Sequence, residues 1–83
     1  MTRNNTWVLL IPADKNNNYL SGRRWCEQIE NRNFDSPEDA VSQLDTDTTE
    51  GIQTYMLTDF MDLINSDEIN MKKYFFGYFN VRA

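Results

Sequence analysis

Cys26 is the single thiol of a chain that contains no histidine, and this bounds the available chemistry. A cysteine nucleophile is activated by a neighbouring imidazole, and a serine nucleophile by the same base. Neither pairing exists here, and no Cys/His cluster is available to hold zinc. Proton transfer would fall to carboxylates alone. That needs a pocket that raises the pKa of one acid, and no motif announces one. A lone cysteine forms no internal disulfide, so the fold is expected to stand without cross-link, metal or cofactor, in a reducing compartment. The residues read as a non-enzymatic protein.

Two further constellations bear on ligands. The stretch Asp45-Thr46-Asp47-Thr48-Thr49-Glu50-Gly51 places oxygen-bearing side chains at alternate positions, as a calcium loop would. Counted from Asp45, however, Glu50 falls where the sixth-position glycine belongs and Met56 where the bidentate acid belongs, so a solvated loop is the better account. Arg23-Arg24-Trp25 joins two guanidinium groups to an indole, and Lys72-Lys73 precede an aromatic run. Both pairs of cations could reach phosphate beside a stacked base, which makes a nucleic-acid module the alternative function.

Within that aromatic run, Phe76-Gly77-Tyr78 resembles the aromatic strand of the RNA-recognition motif. The resemblance implies a base-stacking sheet face. Tyr74-Phe75 stands where the basic residue and glycine should open that motif, and Trp7 to Ile11 lacks the partner pattern. The same aromatics also serve as core and edge cover.

The net charge of −5 conceals a polarised distribution. Residues 1–34 carry five basic residues against three acids, whereas no basic residue lies between Arg32 and Lys72 and ten acids do. Glu38, Asp39, Asp59 and Asp62 are expected in first turns of helices, where the macrodipole favours them. The others have no such local reason. A dense anionic surface repels nucleic acid and complements a basic protein patch. The expected function is therefore a small acidic interaction protein, an inhibitor or regulatory subunit of the antitoxin-like or viral kind, binding a protein with a basic surface. Asp45, Asp47, Glu50, Asp67 and Glu68, with Tyr74, Phe76 and Tyr78 of the terminal strand, are the candidate partner-binding residues. Arg23, Arg24, Trp25, Lys72 and Lys73 are the alternative set, for nucleic acid. Homo-oligomerisation stays open.

The elements that must position these residues follow from periodicity. Trp7-Val8-Leu9-Leu10-Ile11, closed by Pro12, is a continuous apolar run, the pattern of a central strand buried on both faces. Five apolar residues are too few for a membrane span or a signal-peptide core, so a cytoplasmic protein is expected. Ser21 to Asn31 reads either as a strand or as a helix with Trp25, Cys26 and Ile29 on one face. Gly22 and two arginines at its start favour a strand that forms a hairpin with the first. Ser36-Pro37-Glu38-Asp39 starts a helix with a Ser cap, Pro at its first position and acids in its first turn, and Val41 and Leu44 share a face. Ile52 to Leu57 alternates as a strand. Thr58 then caps a helix over Asp59 to Ser66 that buries Phe60, Leu63 and Ile64.

The last strand, Tyr74 to Val81, places Phe75, Gly77, Phe79 and Val81 on one face and Tyr74, Phe76, Tyr78 and Asn80 on the other. The unit Ile52–Val81 is expected to organise the rest. The whole is one compact α+β domain over residues 1–83, with three or four mostly antiparallel strands and two short helices.

Overall fold

The computed structural model describes residues 4–13, 19–44 and 51–82. Four strands, β1 (Asn4–Pro12), β2 (Asn33–Phe34), β3 (Gln53–Met56) and β4 (Tyr74–Arg82), form one sheet in the order β2-β4-β1-β3. Three helices, α1 (Tyr19–Ile29), α2 (Pro37–Ser42) and α3 (Leu57–Asn65), and a 3-10 turn over Met71–Lys73 connect them. The α+β class is as expected, with one more helix. The sheet is mixed rather than mostly antiparallel, because β2 runs parallel to β4 while β1 pairs antiparallel with both β4 and β3.

The organising element is β1, not the Ile52–Val81 unit. It pairs with β4 along all nine of its residues and with β3 on its other side. Val8, Leu9, Leu10 and Ile11 are completely buried, which is why this run does not alternate: both faces of the sheet are covered. Full burial of such side chains contributes about 1.5–3 kcal/mol each. Leu9 and Ile11 face a core made with Trp25, Cys26 and Ile29 of α1, Phe34, Ala40, Leu44, Phe79 and Val81. Val8 and Leu10 face the other way, onto Phe60 of α3.

Residues 19–29 are a helix, so the expected strand and its hairpin with β1 are corrected. Gly22, the residue that argued against a helix, is there because nothing larger fits: a β-carbon on it would stand 2.8 Å from the Phe75 ring and 3.2 Å from Cγ2 of Ile11. The propensity cost of about 1 kcal/mol is offset by close helix–sheet packing. Asn31, in the left-handed region at φ 61°, follows the helix, and its N–H donates to the Tyr78 carbonyl at 2.9 Å. The place in the sheet that the hairpin would have filled is taken by β4.

The start of α2 is as read from sequence. The Ser36 hydroxyl accepts from the Asp39 N–H at 3.1 Å, and Pro37 opens the helix. The helix α3 differs. It leaves β3 with no intervening loop and begins at Leu57, with Met56 in the cap position and no side-chain cap, while Thr58 is exposed. Leu57, Phe60 and Ile64 form its inward stripe; Leu63 is half-buried and does not join that cluster. Among the described residues no helix is long and apolar enough to cross a membrane.

Candidate interaction site

The C-terminal end of α3 gathers the acids that the sequence singled out and structure describes. Ser66 caps the helix with its backbone N–H, which donates to the Asp62 carbonyl at 3.1 Å. Asp67 follows at φ 58°, its N–H bonded to the Ile64 carbonyl, and the Glu68 N–H reaches back to the Leu63 carbonyl at 2.9 Å. This is a Schellman closure with aspartate where glycine usually stands. Neither the left-handed backbone nor the charge of Asp67 is locally favourable, since the helix C-terminus carries the negative end of the macrodipole and no basic residue lies in the last turn.

Asp62 lies past the middle of α3, not in its first turn as the sequence suggested, so it too lacks a dipole reason. Glu68 accepts a 2.6 Å bond from the Ser66 hydroxyl. Among the described residues Asp59, Asp62, Asp67 and Glu68 take part in no ion pair; the pairs there are Arg23–Glu27 and Arg82–Asp35.

Beside these acids is a cleft of about 430 Å³ lined by Ile64, Asp67, Ile69, Asn70, Met71 and Lys72. Its outer lip is Met71, 46% exposed, and Met61 on the solvent stripe of α3 is 48% exposed. Methionine suits a surface that must adapt to a partner, because its unbranched, polarizable chain repacks cheaply. Apolar side chains interleaved with unpaired carboxylates can seat aliphatic stems of lysine and arginine and neutralise their heads. The sequence reading missed Met61, Met71 and Ile69. The signal for Met61 was available: it shares the helix stripe of Thr58, Asp62 and Asn65, all polar.

The other sequence candidates are distributed as follows. Asp45, Asp47 and Glu50, with the calcium-like loop to which they belong, lie outside the described residues. Tyr74 and Phe76 are half-buried beneath α3, and the Phe76 ring lies 5.5 Å from that of Phe60. They do not form an open aromatic face, because α3 covers the side of the sheet that would have shown it. Tyr78 is exposed.

In the alternative set, Arg23 and Arg24 are exposed on α1, Arg23 standing 3.9 Å from Glu27, and Lys72 and Lys73 are exposed on the 3-10 turn. Trp25, only 5% exposed, packs in the core between α1 and the sheet, so its indole offers no face for stacking a base. Cys26 is buried beside it, and its pKa is raised from 9.0 to about 12, first by burial and then by Glu27 and Glu30. Such a thiol stays protonated and is a poor nucleophile.

No family model, curated protein or solved structure matches the chain.

Proposed function

We propose that the chain is a non-enzymatic interaction protein, an inhibitor or regulatory subunit, that docks a partner with a basic surface through the C-terminal end of α3. The observation that carries this reading is Asp67: an aspartate held in the left-handed region at a helix C-terminus, between Asp62 and Glu68, and in no ion pair among the described residues. Local stability would favour glycine at that position and basic residues around it. Retaining acids there makes sense if the compensating charge comes from another molecule. The cleft with its exposed methionine adds an apolar contact to the charge.

The nucleic-acid reading has less support, since its four cations stand without an accessible aromatic partner in Trp25 and the net charge of −5 opposes approach to a polyanion. Affinity for a captured partner, measured with wild type and with Asp62→Lys, Asp67→Lys and Glu68→Lys combined, tests the proposal. A loss of about tenfold or more, shrinking as salt rises, is expected from three rim charges. Salt-sensitive micromolar binding of random oligonucleotides, lost on removing Arg23 and Arg24, would reverse the preference.

A further inference from the structure

The helix α3 covers only part of its face of the sheet. Register places Asn33 of β2, Tyr78 and Asn80 of β4 and Thr6 of β1 on the same face as Val8, Leu10, Tyr74 and Phe76, because Leu9, Phe34, Phe79 and Val81 point into the opposite core. The cluster around Phe60 takes in Val8, Leu10, Tyr74 and Phe76 and stops there. Tyr78 is 40% exposed, and Thr6 and Asn33 are exposed with it. The row through Tyr78 and Val8 lies four residues along each strand from the ends at Arg82 and Asn4.

This uncovered part is uncharged. The Thr6 hydroxyl donates to Oδ1 of Asn80 at 3.5 Å, which leaves the Asn80 amide nitrogen, a double donor, and the Tyr78 hydroxyl without a partner among the described residues. Arg82, the next residue of β4 on this face, is held by Asp35 at 2.7 Å, so its charge is compensated. The patch therefore offers one aromatic ring with amide and hydroxyl groups beside it. Asn33, Asn80 and Thr6 span roughly 10 Å across the strands, and Tyr78 and Asn80 roughly 7 Å along β4. That is the footprint of one sugar ring, and far short of the roughly 800 Å² per partner that a protein or a second copy of this chain would need.

We propose that this face binds a neutral carbohydrate, one pyranose ring stacking its C–H groups on Tyr78 while its hydroxyls exchange hydrogen bonds with Asn80 and Thr6. A sugar hydroxyl both donates and accepts, and so do the side chains that surround the ring. The C–H groups of a sugar carry a slight positive charge, which suits the negative face of an aromatic. A nucleotide would stack as well, but its phosphate would approach a chain of net charge −5 at a patch whose one neighbouring cation, Arg82, is already paired. The face holds none of the acids at the end of α3, so this proposal and the docking of a basic partner stand or fall separately.

The probes are the methyl glycosides of glucose, galactose, mannose and N-acetylglucosamine, each titrated into the isotopically labelled full chain and followed by NMR. At least one is expected to shift the amides of Thr6, Tyr78 and Asn80 and the side-chain amide of Asn80 saturably, with a dissociation constant of about 1 mM, the reach of so small a ligand. Because the ligand is neutral, the constant should be the same at low and high salt. Tyr78→Ala should weaken binding about tenfold by removing the ring, whereas Tyr78→Phe keeps the ring and should stay within about threefold of wild type. Asn80→Ala should weaken it about fivefold, as loss of one hydrogen bond does. If Tyr78→Ala does not fold, the map of shifted amides in the wild type and the Tyr78→Phe titration still decide. The proposal fails if no glycoside of the panel shifts those amides saturably, or if the shifts persist undiminished in Tyr78→Ala. It fails equally if adenosine, titrated in the same way, binds this face more tightly than every glycoside, since the ring would then be a platform for bases.

Discussion

Gly77 of β4 and Cys26 of α1 meet backbone to backbone: a β-carbon on Gly77 would stand 3.0 Å from the Cys26 α-carbon and 3.2 Å from its carbonyl oxygen. The contact is with main chain, which cannot swing aside as a side chain can. It fixes how closely α1 lies on the sheet. Gly77→Ala is therefore expected to destabilise the fold by about 1–3 kcal/mol, the range for overpacking. Chemical denaturation measures it directly; a change under about half a kcal/mol would mean that α1 sits more loosely than described.

Phe60 anchors the opposite face. It is 1% exposed and packs on Val8, Leu10 and Phe76. Phe60→Ala should cost about 3–5 kcal/mol, as deletion of a buried aromatic does. Leu63→Ala, at a half-buried position outside that cluster, should cost clearly less. Equal losses at both positions would place the inward stripe of α3 one residue away from Leu57, Phe60 and Ile64.

These contacts show what the sequence could disclose. The apolar run of β1, the Ser36 cap and the two-face alternation of β4 were legible, because each depends on neighbours within a few residues. The helix α1 was not. Gly22 lowers local helix propensity, and the reason for it, the Phe75 ring, lies 53 residues further on. Nor was the two-residue β2, which is too short to carry a period and gains its register from β4. For the candidate site, Asp67 and Glu68 were singled out by charge alone. Of the apolar residues beside them, Met61 could have been read from its polar helix stripe, while Ile69 and Met71 lie in the connection after α3, which carries no period.

Cys26 gives a pH prediction whose sign is fixed by its burial. Its folded-state pKa is raised from 9.0 to about 12, so the contribution of the protonated thiol is fully present below pH 9 and is lost as pH rises from there toward about 12. Stability of the wild type should fall over that window more steeply than that of Cys26→Ala. A thiol-reactive dye should label the native chain only as fast as it opens, and rapid labelling of folded protein at pH 8 would show the thiol to be exposed.

Asp67 separates stability from docking. Asp67→Gly relieves a left-handed non-glycine residue and removes a carboxylate from a helix C-terminus, so it should stabilise the fold by about 0.5–1 kcal/mol and raise Tm by a few degrees. The same change should weaken partner binding. A variant that is more stable and binds as well as wild type would leave Asp67 without a role in the interface.

Docking of a basic protein through the end of α3 can be read by parallel capture. Wild type and the Asp62→Lys, Asp67→Lys, Glu68→Lys variant, each shown to be folded, are immobilised side by side and exposed to extract of the cells in which the protein acts, with quantitative mass spectrometry of what each retains. At least one protein with a basic surface should be held by wild type, released by moderate salt and missing from the variant. Identical sets of retained proteins on the two surfaces would contradict it.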